Sequence, residues 1–106
     1  MSTYVFKWQL LMLYTQSGVY TMNSNQLNSV LVGKAISKAR QEKGITQEVL
    51  SGLADIGRTH LSAIERGERK PTLETLWRIA FALGIRPNEL VSKIELEIDR
   101  NFSSKP

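Results

Sequence analysis

Thr46 to Gly67 reads TQEVLSGLADIGRTHLSAIERG, and the fold turns on how this stretch divides. Thr46 has the residue type that caps a helix by accepting a backbone N–H. Its third helical position is Val49, where a Glu would have completed a capping box. A short helix through Leu50 and Leu53 follows. Gly52 inside it costs about 1 kcal/mol against alanine, a cost that predicts another helix passing closely. Asp55 stands where the chain must turn and tolerates left-handed backbone better than most residues. Gly57 then caps a second short helix, Arg58 to about Arg66, closed by Gly67. Leu61 and Ile64 point to one side of that helix, and Arg58, Thr59, Ser62 and Ala63 to the other.

Outward from this pair, Leu27, Val30, Leu31, Ile36 and Ala39 fit the stripe of an earlier helix that ends at Gly44. Pro71-Thr72 opens a fourth helix with Leu73, Leu76, Ile79, Ala80 and Leu83 as its buried stripe and Gly84 as its stop. Trp77 lies on this helix, either in the core or near a subunit surface. Pro87-Asn88-Glu89 opens a fifth, with Leu90, Val91, Ile94 and Ile98 on one side. The run Ile94 to Ile98 also alternates with period two, but nothing interrupts it before Asn101, so helix is the preferred reading. The expectation is an all-α, compact five-helix bundle.

With 106 residues, the chain has room for one domain with tails. Residues 1–24 are read as an N-terminal arm, 25–100 as the folded domain and 101–106 as a flexible tail. The apolar run Leu10 to Leu13 is too short to span a bilayer, which takes about 20 residues, and it makes a poor signal peptide. The arm is a packed element, a loose extension or a product of start assignment with Met22 as the natural first residue; the last two together are favoured. Cysteine is absent, which removes disulfides and thiolate metal sites and suits a reducing, cytoplasmic compartment. Formal charge is +4. Its placement says more than its size: Arg58, Arg66, Arg69 and Lys70 crowd one short segment, and clustered cations attract a polyanion.

Two short helices about a tight turn at Asp55-Ile56-Gly57 match the helix-turn-helix pattern. Gly33 to Leu90 resembles the lambda-repressor-like, xenobiotic-response-element type of helix-turn-helix family. The resemblance rests on Thr46-Gln47, on IERG at Ile64–Gly67, on PTLETL at Pro71–Leu76 and on ALG at Ala82–Gly84. RTHLS followed by IER is also similar to the controller proteins of restriction–modification systems, a small dimeric branch. Asp55 replaces the usual turn glycine, Ser51 the usual alanine and Gly57 the usual hydroxyl cap.

The resemblance implies double-stranded DNA as partner and a helix from Arg58 seated in the major groove. A helix about 10 Å across fits a groove about 12 Å wide, with its N-terminal side chains at the base edges. Arg58 can fork onto guanine O6 and N7, Thr59 can offer a hydroxyl or a methyl, and Ala63 can touch a thymine methyl. His60, the only histidine, has no ligand or nucleophile beside it in sequence. It stands with this base-facing group rather than as a general base. Gln47 is implied to bind a phosphate and brace the reading helix. Arg66, Arg69, Lys70, Thr72 and Thr75 are placed along the DNA backbone, which supplies affinity and position. Arg40 and Glu65 are implied to form a partly buried ion pair.

A single helix-turn-helix reads little sequence, so a homodimer on near-palindromic DNA is expected, with Leu90, Ile94 and Ile98 of the fifth helix as its interface. The expected function is transcriptional regulation, repressing or activating. The alternative is a protein-interaction module, antitoxin-like or coactivator-like, using the N-terminal arm or the face around Ile94. An enzyme is not expected, for want of a nucleophile–base pair, a phosphate-cradling glycine loop or a metal cluster. No cofactor, metal or membrane partner is expected.

Overall fold

A computed structural model describes residue 9 and residues 27–103. Five helices follow one another: α1 Ser29–Glu42, α2 Gln47–Ala54, α3 Arg58–Glu65, α4 Leu73–Ala82 and α5 Pro87–Ser103. The described residues contain no strand, and Ile94 to Ile98 is helical. α5 runs to Ser103, past the point where a tail was expected to begin. The arm of residues 1–24 lies outside the described residues apart from residue 9.

Each boundary has a local cause. Asn28 caps α1, its Oδ1 accepting from Leu31 N at 2.8 Å. Thr46 caps α2 by accepting from Val49 N at 3.1 Å, and Thr72 caps α4 by accepting from Thr75 N at 3.1 Å. Gly57 enters α3 in extended conformation without a side-chain cap, so the first amides of that helix keep their donors free. α2 ends on Asp55 at φ 55°, where Ile56 N donates back to Ser51 O at 3.0 Å. Gly67 at φ 78° closes α3 in the same way, with Glu68 N on Ala63 O at 2.9 Å. A left-handed residue followed by this back-bond satisfies carbonyls the helix end leaves over.

The core draws on every helix. Ile36, Leu50, Leu61, Ile64, Ile79 and Leu90 are its largest fully buried side chains, and they come from α1, α2, α3, α3, α4 and α5 in turn. The sequence reading misplaced the rim of this core. Leu27 and Val30 are exposed, and α1 instead buries Leu31, Val32, Ala35, Ile36 and Ala39. Its apolar stripe is thus rotated from the one expected. Leu73 and Val91 are exposed as well. Leu90 and Ile94 are buried in the subunit's own core and Ile98 packs against it. They are therefore not a face open to a second subunit, and the interface expected there is corrected.

Two glycines also reverse expectation. Gly52 has open space around it, so no helix passes there. The close approach is at Gly33. A methyl on Gly33 would collide with the carbonyl oxygen of Ile64 and lie 2.8 Å from that of Glu65. α1 crosses the C-terminal end of α3 with backbone nearly touching backbone, which only glycine allows.

α5 is held on α1 by a buried carboxylate. Glu97 is 4% exposed; Lys38 donates to it, and Lys34 and Arg100 lie at 3.8 and 3.7 Å. The hydrogen bond from Lys38 holds its carboxyl below the ordinary glutamate value, against the opposing effect of burial. Lys93 adds an exposed link from α5 to Glu42, at 3.2 Å.

Candidate nucleic-acid interface

α3 presents one continuous outward arc. At about 100° per residue, Arg58, Ser62, Arg66, Thr59 and Ala63 fall in that order across the side opposite Leu61 and Ile64. Arg58 and Thr59 are exposed, and Ser62 and Ala63 are half-buried. His60, half-buried, falls beyond Ala63 toward the inward side. It belongs to the rim of the arc and not to its centre.

The arc is fixed from behind by a polar cluster. Glu65, with a side chain 5% exposed, receives Arg40 in a forked contact: Nε to Oε2 at 2.8 Å and Nη2 to Oε1 at 3.0 Å. Arg40 also donates to Ile45 O at 2.8 Å, so its charge is held on two sides. Gln47 Nε2 donates to Glu65 Oε1 at 3.1 Å. The three side chains come from α1, α2 and α3, and they join α3 to both helices behind it. The planar fork of arginine suits this bidentate geometry, which a lysine does not reproduce.

On the far side of α2, Arg78 of α4 donates to Asp55 O at 3.2 Å and to Glu74 at 3.0 Å. Its link to the Asp55 carboxylate is long, at 3.5 Å, and solvated. The carbonyl contact pins the left-handed turn between α2 and α3, a role for Arg78 that was not read in the sequence. Ser51, standing where alanine is usual, is buried and spends its hydroxyl on Glu48 O at 3.0 Å.

The cations expected to meet DNA divide into two groups. Arg66 is engaged with Glu68 at 2.7 Å and with Ser62, so its charge is already partnered. Arg58, Arg69 and Lys70 are exposed and have no carboxylate partner among the described residues. Thr72 uses its oxygen on Thr75 N and its proton on Thr75 Oγ1 at 3.0 Å. It is spent on capping, while the Thr75 hydroxyl keeps its own proton to give. Ser62, next to Arg58 on the arc, is a residue the sequence reading put on the outward side but left out of the site; its position between Arg58 and Arg66 on the wheel was the available signal.

The described residues hold no cluster of His, Asp and Glu able to bind a metal ion, and no helix among them is long and apolar enough to cross a membrane. A short helix offering an arginine and a threonine at its uncapped start, with free cations just beyond its end, defines a helix-turn-helix module. The helix-turn-helix family model matches residues 36–90, and the chain belongs to that family, in its xenobiotic-response-element type. It is 44% identical over 62 residues to the uncharacterized HTH-type transcriptional regulator y4dJ of Sinorhizobium fredii, a match covering 58% of this chain and 80% of that one. It is 41% identical over 66 residues to control protein C.MunI of a Mycoplasma, covering 61% and 89% of the two chains. Among solved structures it is similar to the restriction–modification controller protein C.Esp1396I, seen as a tetramer with its natural 35 base-pair operator. That likeness has a TM-score of 0.63 at 34% identity and covers 72% of this chain and 97% of the other.

Proposed function

We propose that this protein is a sequence-specific DNA-binding regulator of transcription that works as a homodimer on near-palindromic duplex DNA in the cytoplasm, without enzymatic activity. Within that class, the likeness to C.MunI and C.Esp1396I supports a controller protein of a restriction–modification system.

One observation carries the reading: the outward arc of α3, opened by Arg58 and Thr59 and braced from behind by Glu65. Arg58 and Thr59 read base edges, Ala63 allows close approach, and His60 touches the groove wall from the rim. Gln47, Arg69, Lys70 and Thr75 take phosphates, with Arg66 joining when Glu68 releases it. The free amides at the start of α3 add an oriented positive end beside the DNA backbone. With Arg66, Arg69 and Lys70 neutralising about three phosphates per subunit, a dimer loses affinity with salt at a log–log slope near −5.

Binding-site selection from random duplex DNA tests this, with Arg58→Ala as control. The expected outcome is an enriched inverted repeat, bound by the variant at least about 30-fold more weakly, because a homodimer loses two bidentate base contacts of roughly 1–3 kcal/mol each. Enrichment of nothing, or a salt slope near zero, overturns the reading.

A further inference from the structure

The outer face of α4 carries a run of large apolar side chains that neither the core nor the DNA-facing surface uses. Leu73, Trp77 and Phe81 recur every fourth residue and are 73%, 57% and 82% exposed. Helical spacing puts them on one side of α4, opposite the buried Ile79 and with the buried Ala80 at the edge of the stripe beside Leu73. From the ordinary size of such side chains, the three expose on the order of 400 Å² of apolar surface, as much as the largest patch on a typical monomer.

We propose that this face receives a second copy of the same chain, the α4 helices of the two subunits packing across a two-fold axis with Trp77 near its centre. The proposal rests on the homodimer reading above and says where the dimer is joined. Two features favour a second copy as the occupant. The first is area: a subunit gives about 800 Å² to a standard interface, of which somewhat over half is apolar, and the α4 stripe supplies most of that apolar share. The second is charge. The stripe is flanked by one residue of each sign, Glu74 and Arg78, already paired at 3.0 Å, so two copies can meet without opposing unpaired like charges. The outer side of α5 fails this test. Val91 and Phe102 are exposed on one side there, but Glu95 and Asp99 lie between them on the same side, and a two-fold pairing would bring carboxylates together. A two-fold contact is self-complementary and needs a surface that tolerates its own image.

Arg78 gives the contact a further consequence. It flanks the stripe and also holds Asp55 O at the α2–α3 turn, so the joining face and the turn that aims α3 share one side chain.

Sedimentation velocity on the full chain, with and without duplex inverted repeat, tests the proposal using Trp77→Glu, Phe81→Glu and, as control, Val91→Glu. The wild type and Val91→Glu are expected to sediment as dimers. The two α4 variants are expected to self-associate at least tenfold more weakly, keep their helical circular dichroism, and still bind an isolated half-site. Dimers that persist in both α4 variants overturn this placement while leaving the homodimer reading intact. A wild type that stays monomeric even on an inverted repeat overturns the homodimer reading, and this proposal with it.

Discussion

Glu65→Ala should unfold the domain at a much lower temperature although it deletes none of the side chains proposed to touch DNA. The substitution strands Arg40, whose side chain is 14% exposed, with Ile45 O as its remaining acceptor, and it removes the acceptor of Gln47. Breaking a buried ion pair by deleting one partner costs about 3–5 kcal/mol. Some solvent reaches Arg40, so the lower end applies. For a domain of this size each kcal/mol moves the melting temperature by about 4–8 °C, so a fall of roughly 12–24 °C follows. Arg58→Ala, on the exposed arc, should stay within about 0.5 kcal/mol of wild type although it damages DNA binding far more. Arg40→Met combined with Glu65→Leu should be less destabilised than Glu65→Ala alone, because apolar replacement of both charges leaves neither one stranded. Thermal melts by circular dichroism decide it. A Glu65→Ala melting point within about 4 °C of wild type would refute the reasoning, and so would a double variant that merely adds the two single losses.

Gly33→Ala should destabilise the domain by about 1–3 kcal/mol as an overpacked crossing, despite the gain of about 1 kcal/mol in helix propensity that alanine brings; Gly52→Ala, with open space around it, should raise the melting temperature. Equal shifts at the two sites in urea or thermal unfolding would remove the argument for a tight α1–α3 crossing. The lowered pKa of Glu97 makes a stabilising contribution that is present above the unfolded glutamate value and lost as pH falls below about 4.3 toward the folded value. Glu97→Gln should therefore be less stable at neutral pH and show a flatter decline on acidification, and parallel pH–stability curves for the two proteins would count against the Lys38–Glu97 link.

What was legible in the sequence was what local chemistry decides. Thr46, Asp55, Gly57, Gly67, Thr72 and Pro87 each fix a boundary through their own backbone or hydroxyl, and the five helices and their turn follow from them. The outward face of α3 was legible for the same reason, since Leu61 and Ile64 alone determine which way a short helix rolls. Features set by a neighbour were not. The stripe of α1 was misrotated because Leu27 and Val30 are as apolar as Val32, and only the positions of α3 and α5 choose between them. Leu90, Ile94 and Ile98 read as surplus because the sequence does not announce that α5 lies along α1. Glu97 went unnoticed, since an isolated glutamate in a charged run gives no hint of the lysines that bury it. Gly52 and Gly33 carry the same letter, and only the path of another helix tells the idle one from the essential one. At the site, the Arg40–Glu65 pair came from resemblance to the family, and Arg78's hold on the turn from the coordinates.

α3 depends on its neighbours for its place in the fold. α3 has eight residues, of which Leu61 and Ile64 are buried. Burying two such side chains contributes about 3–6 kcal/mol, whereas ordering eight backbone units costs about 8–16 kcal/mol. An isolated helix of that length is not stable in water. Its position is therefore set by fixings at both ends and behind: the Asp55 turn tied to α4 through Arg78, the Gly33 crossing, and Glu65 gripped by α1 and α2. Most of these are polar and directional. Apolar packing tolerates sliding, but a forked guanidinium on a carboxylate does so far less, and a binding constellation has to be held within about 0.5 Å of its productive geometry. The Arg40–Glu65 pair is thus best understood as setting where α3 points.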